Sequence, residues 1–181
     1  VAPKSAVLKI TNATLSGSVT ISGTVTYGET LTANVTNTNS ATLTYKWYSN
    51  TTKSTSGGTQ IGGATGSTYK IGTGLVDKYI YVVVTMTKAN YTTNTVSAVT
   101  SSTVSARAVT FTADSDSKVY DGTALTKQSA KLTSGSLVSG DTATFSITGT
   151  ITNVGSVTNT LNSVTIKNAS GTDVSANYSI T

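Results

Sequence analysis

Apolar residues in this chain recur at every second position, in short runs separated by Gly, Asn and Ser, and almost nowhere at helical spacing. Leu31, Ala33 and Val35 alternate with Thr30, Thr32 and Asn34; Leu43, Tyr45 and Trp47 alternate with Thr44, Lys46 and Tyr48. Successive side chains of a strand point to opposite faces, so each run describes a strand with one dry face. The stretch Tyr79 to Met86 is apolar on both faces, with Ile80, Val82, Val84 and Met86 on one and Tyr79, Tyr81 and Val83 on the other. This is the profile of a central strand covered on both sides. Roughly a third of the chain is Thr or Ser and charged residues make up 10%, against about 25% in an ordinary domain. Threonine suits both requirements, since its β-branch fits a pleated strand and its hydroxyl faces water. The expected fold class is therefore all-β.

The 181 residues suffice for two small domains in tandem. Gly28, Gly57-Gly58, Gly62-Gly63, Gly66 and Gly72-Thr-Gly74 supply turns in the first half. The boundary is expected near residue 106, with a lead-in strand or linker at 1–13, a β-sandwich at 14–104 and a mostly-β domain at 107–181. In the second half, strand spacing occurs at Val119-Tyr120, Ala130/Leu132, Ala143/Phe145/Ile147, Val164/Ile166 and Tyr178/Ile180, and only Gly135–Ser139 reads as a single helical turn. Trp47, on the apolar face of its strand, is expected in the core, and Tyr120, beside the Asp121-Gly122 turn signal, as a core or corner residue.

Composition excludes much chemistry. The chain has no His and no Cys, so no Ser-His-Asp triad, thiol nucleophile, Cys-ligated zinc or H-E-x-x-H site can be assembled. The net charge of +5 comes from lysines scattered singly between Lys4 and Lys167, without the basic run or basic helix of a nucleic-acid binder. No run approaches the roughly 18 apolar residues of a membrane helix, and Gly72-Thr-Gly74 lacks the strand-to-helix context of a nucleotide loop.

Two segments resemble known families. GTVTYGETLTA (Gly23 to Ala33), LTYKWY (Leu43 to Tyr48), IGGATGSTY (Ile61 to Tyr69) and the Tyr79 to Met86 strand resemble the Ig-like repeats of large bacterial surface proteins, a likeness running from about Ala13 to Thr103. KVYDGT (Lys118 to Thr123), SGDT (Ser139 to Thr142) and DVSANY (Asp173 to Tyr178) resemble the YDG-type repeats of bacterial adhesins, over residues 108–181. Leu75-Val-Asp-Lys78 departs from the acidic-Val-Gly that related repeats carry before the Tyr79 strand. The resemblance implies an Ig-like sandwich followed by a mostly-β domain, with a β-grasp-like form among the options. It also implies a segment of an extracellular tandem-repeat protein on a bacterial surface or cell wall, monomeric and flanked by neighbouring repeats.

Three functions follow as expectations. The first is a stalk or spacer without catalytic residues. The second is a module binding host glycan, mucin or matrix protein through Tyr48, Tyr79 and Tyr81, whose rings fall on outer strand faces where they could stack on sugars. The third is a glycoside-active enzyme using Asp114 and Asp116, which on an extended chain project the same way about 6.5–7 Å apart. The same two carboxylates, joined by Asp121 or Asp141, are a candidate Ca²⁺ site; no other cofactor is expected. Finally, Lys118 and Asn177, with Asp141 or Asp121 as the proton-shuttling acid, have the residue types of an intramolecular isopeptide bond.

Overall fold

The structure, a computed structural model, describes residues 5–181. It is all-β, with a single 3-10 turn at Ser175–Asn177 and no α-helix among the described residues. Two compact units are present, and neither is a continuous stretch of chain. Unit 1 comprises residues 1–25, 29–70 and 77–103; unit 2 comprises 26–28, 71–76 and 104–181.

Unit 1 contains β1 (Ala13–Thr14), β2 (Ser18–Ser22), β3 (Thr30–Thr36), β4 (Thr42–Asn50), β5 (Thr59–Gln60), β6 (Thr68–Lys70), β7 (Tyr79–Thr87), β8 (Tyr91–Thr92) and β9 (Asn94–Val99). They form a three-stranded antiparallel sheet, β2-β3-β6, and a four-stranded antiparallel sheet, β5-β4-β7-β9, which together make a β-sandwich; β1 pairs with β8 in parallel. The alternation read from the sequence becomes the burial pattern. Val19, Leu31 and Ala33 from one sheet and Trp47, Ile80, Val82, Val84 and Met86 from the other are buried, as is Leu15. Trp47 is the core residue expected, fully buried, its indole Nε1 donating to the Gly66 carbonyl at 2.9 Å and its ring 5.7 Å from Tyr69. That bond satisfies the one polar atom the ring brings inside.

Unit 2 contains β10 (Arg107–Ala113), β11 (Leu125–Thr126), β12 (Ala130–Gly135), β13 (Thr142–Thr148), β14 (Thr150–Ile151), β15 (Thr160–Lys167) and β16 (Tyr178–Ile180). In the mixed sheet β12-β10-β16, β10 pairs antiparallel with β12 and parallel with β16; β13 and β15 form an antiparallel pair and β11 pairs with β14. Its core is Val109, Phe111, Ile166, Val174 and Tyr178, joined by Tyr27, with Phe111 edge-on to Phe145 at 5.3 Å. The helical turn expected at Gly135–Ser139 is absent. Gly135 instead ends β12 at φ 80°, and a Cβ there would lie 2.3 Å from the Ala108 carbonyl oxygen, so the chain leaves the sheet by a left-handed glycine that no side chain could replace. The second unit is thus mostly β, as read, but carries no helix of the kind a β-grasp packs on its sheet.

Tyr27 is held in unit 2 by specific chemistry. Its hydroxyl donates to Asp141 Oδ2 at 3.1 Å, the Tyr178 hydroxyl donates to the same oxygen at 2.6 Å, and the two rings meet edge-on at 5.4 Å. The Tyr178 oxygen also accepts the Val138 N–H at 2.9 Å. Burial, then the charge and hydrogen bond of Asp141, push the Tyr27 hydroxyl up to about 12, and burial with the Asp141 hydrogen bond raises Tyr178 as well. A raised tyrosine favours the folded state while it is neutral. Its contribution is complete below pH 10, the unfolded value, and is lost as pH rises through the folded value. Unit 2 is expected to lose on the order of 2 kcal/mol between pH 10 and 12 from Tyr27. Tyr27→Phe should flatten that loss in an alkaline denaturation series followed by far-UV circular dichroism; an unchanged slope would contradict the assignment.

Candidate functional site

The largest concavity lies within unit 2, where two stretches that belong to no strand, residues 115–121 and 152–158, face each other above the short β11-β14 pair. The cavity measures about 530 Å³, within the range of ligand-binding pockets. Leu125 and Ile151 contribute apolar surface, Asp114, Asp116, Lys118 and Lys127 contribute charge, and Tyr120, Val154 and Val157 stand exposed around it. Asn159 ties the walls together: its Nδ2 donates to the carbonyls of Asp114 at 2.8 Å and Lys127 at 2.9 Å. Its Oδ1 is buried without a hydrogen-bond partner, packed where a Cβ on Gly149 would approach to 2.6 Å. Asn159 gave no signal in the sequence, because a single Asn before a strand reads as an ordinary turn residue.

The wall carrying KVYDGT is fixed by a side-chain network. Asp121 Oδ1 accepts from Lys118 Nζ at 2.8 Å, from the Thr123 N–H at 2.9 Å and from the Thr123 hydroxyl at 2.7 Å, and Lys118 also donates to Thr123 Oγ1 at 2.5 Å. These bonds, the one from Lys118 foremost, hold the Asp121 carboxyl well below the usual carboxylate range. The turn signal at Asp121-Gly122 is therefore correct. The expected burial of Tyr120 is not, since that ring is 62% exposed and Val119 beside it lies in no strand. With Asp121 turning the chain, Val119 and Tyr120 face outward and only the backbone is constrained.

The acidic residues singled out in the sequence divide among separate tasks. Asp114 Oδ2 accepts from the Ser129 hydroxyl at 2.7 Å; Asp116 Oδ1 accepts from the Ser117 N–H at 2.8 Å, with Lys127 Nζ 3.9 Å from its other oxygen. Asp121 faces Lys118, and Asp141 faces the two tyrosines. Among the described residues no three acidic side chains gather as a metal cluster, so the Ca²⁺ expectation from Asp114, Asp116 and Asp121 fails for want of convergent oxygens. The isopeptide expectation fails on geometry too. Lys118 is engaged by Asp121 and Thr123, whereas Asn177 is buried, accepting the Gly74 N–H at 3.0 Å and donating to the Val174 carbonyl at 3.0 Å. Asp141, the proposed proton shuttle, is committed to Tyr27 and Tyr178.

Of the three tyrosines expected on outer faces, Tyr81 is only 3% exposed. Its ring stacks on Tyr48 with centroids 4.7 Å apart and planes 6° apart, and its oxygen accepts the Gly58 N–H at 3.3 Å. Gly58 lies so close that a Cβ would come within 2.5 Å of the Ser49 carbonyl and 2.7 Å of the Tyr81 ring. This lid leaves Tyr81 no free face for a sugar. Tyr48 and Tyr79 are half-buried.

No helix among the described residues is long and apolar enough to cross a membrane. Compared with known families and curated proteins, the chain matches no family model and no curated sequence.

Proposed function

We propose that this chain is a non-catalytic spacer segment of a bacterial surface protein, displayed outside the cell, whose two β units transmit tension. The observation that carries the reading is the pairing of strands near the entrance and exit of each unit. In unit 2, β10 enters and β16 leaves, and they run parallel with Arg107 opposite Tyr178 and Val109 opposite Ile180. The chain thus arrives at one end of this pair and departs from the other. Tension between those ends pulls along the strands and stresses the bridging bonds together instead of opening them one at a time. Those bonds include Phe111 N–H to the Thr181 carbonyl at 2.9 Å and Thr181 N–H to the Val109 carbonyl at 3.0 Å. In unit 1 the first strand, β1, likewise pairs in parallel with the late strand β8, Ala13 N–H donating to the Asn90 carbonyl at 3.0 Å.

Composition supports the same reading, since a chain without imidazole or thiol has no general base set near neutrality. The resemblance to Ig-like and YDG-type repeats supports the surface location. Thr181→Pro tests the mechanism by deleting one bridging N–H. Unit 2 should rupture at lower force in single-molecule pulling, while its denaturant midpoint moves by no more than the roughly 1 kcal/mol of one hydrogen bond. An unchanged rupture force would contradict the proposal.

A second reading, a binding module, is favoured by the unit 2 cavity with its exposed apolar rim and not by the tyrosines of unit 1, of which Tyr81 is sealed in.

A further inference from the structure

Large apolar side chains in contact with water forgo the gain of burial, and contiguous groups of them mark contact sites. Among the described residues they fall into two groups, with Leu132 apart. One is Val7, Leu8 and Ile10, between 92 and 100% exposed in the extended segment ahead of β1. The other is Val119, Tyr120, Val154 and Val157, on the walls of the unit 2 cavity and beside it, with Val154 88% exposed.

The two groups have complementary form. The segment reads Ser5-Ala-Val-Leu-Lys-Ile-Thr-Asn12, so Ala6, Leu8 and Ile10 share one face at strand spacing, the pattern of a half-buried strand, yet no strand forms there. The cavity walls at 115–121 and 152–158 likewise belong to no strand and enclose apolar surface from Leu125 and Ile151. Charge agrees. Lys9 is the one charged residue between Ser5 and Gly28, and the cavity is lined by Asp114 and Asp116, of which Asp116 has Lys127 only at 3.9 Å. A lysine on the outer face of a docked strand can reach a rim carboxylate along its four-carbon stem.

We propose that the unit 2 cavity receives the Ala6–Ile10 segment of a second copy of this chain, as an added extended strand with Leu8 and Ile10 seated among Tyr120, Val154 and Val157. This mode draws affinity from main-chain pairing and selectivity from alternate side chains. The patch and the segment are different surfaces, so the contact is head-to-tail and repeats from copy to copy without closing on itself. It deepens the spacer reading by naming the partner, and the two stand or fall separately: a chain that stays monomeric yet resists pulling would sink only the docking.

The test is fluorescence anisotropy of a labelled Ser5–Asn12 peptide titrated with the full chain, alongside sedimentation of the chain over a concentration series. Saturable binding is expected. It should weaken by at least about tenfold with Val154→Asp, whose exposed position leaves the fold intact by circular dichroism, and equally with a peptide carrying Leu8→Ser and Ile10→Ser. Asp116→Lys should weaken it several-fold, and a Lys9→Glu peptide should recover part of the loss. Concentration-dependent association should disappear when the full chain carries Leu8→Ser and Ile10→Ser. No peptide binding, affinity indifferent to Val154→Asp, or a neutral oligosaccharide occupying the cavity while the peptide does not would each overturn the proposal.

Discussion

Trp47→Ala is expected to destabilise unit 1 by about 3–5 kcal/mol, the range for removing a large aromatic from a packed core. The side chain is fully buried between the two sheets, against Tyr69, and its loss also strands the Gly66 carbonyl that now accepts the indole N–H at 2.9 Å. A domain of this size has only about 5–15 kcal/mol to lose, so the variant should melt many degrees lower. Denaturant unfolding followed by far-UV circular dichroism reads the change without relying on the fluorophore removed. A loss below about 1 kcal/mol would mean that the sandwich does not close on this residue.

Tyr27→Ala is expected to cost about 3–4 kcal/mol, in unit 2 and not in the strands that flank it in sequence. The ring packs edge-on against Tyr178, its hydroxyl shares Asp141 with that residue, and its carbonyl accepts from Arg107 at 3.3 Å. Amide hydrogen exchange localises the effect. Protection should fall at Val109, Ile166 and Tyr178 and stay high at Leu31 and Trp47. The opposite distribution would show that Thr26–Gly28 belongs with unit 1. A fragment of residues 104–181 should be weakened in the same way, because it lacks Tyr27 and also the buried Ile71 and Leu75.

These two residues mark how far the sequence could be read. Trp47 was legible because strand alternation is a local signal: the neighbours of Trp47 alternate with it, and the same rule placed Ile80, Val82, Val84 and Met86 on one buried face of β7. Tyr27 was not, since nothing in Thr-Tyr-Gly says which of two cores its ring enters. Partner choice depends on Asp141, more than a hundred residues away, and on the space that Gly28 leaves for Val138, whose Cγ2 would lie 2.3 Å from a Cβ there. Tyr81 and Tyr120 were misread in opposite directions for one reason. Exposure of an aromatic on a strand or loop is decided by what lies over it. Gly58 and Tyr48 cover Tyr81, while the Lys118–Asp121–Thr123 network fixes the backbone beside Tyr120 and leaves the ring uncovered. The cavity itself was invisible, because its walls are loops brought together by Asn159. The acidic residues of that region were named correctly as a group but pictured as convergent, whereas each is occupied by a different hydroxyl, amide or ammonium.

The parallel β10-β16 pair was equally beyond sequence reading, and it supports the mechanical account more than any other feature. The most direct measurement is the rupture force of unit 2 in two pulling geometries. The chain has no native cysteine, so single cysteine handles can be placed at Ser105 with Thr181, or at Thr112 with Thr181. The first pair loads the strands from opposite ends; the second pulls from the same end and peels them apart. The account predicts a markedly higher rupture force for the first pair. Equal forces, or extension without a resolved rupture in either geometry, would contradict it.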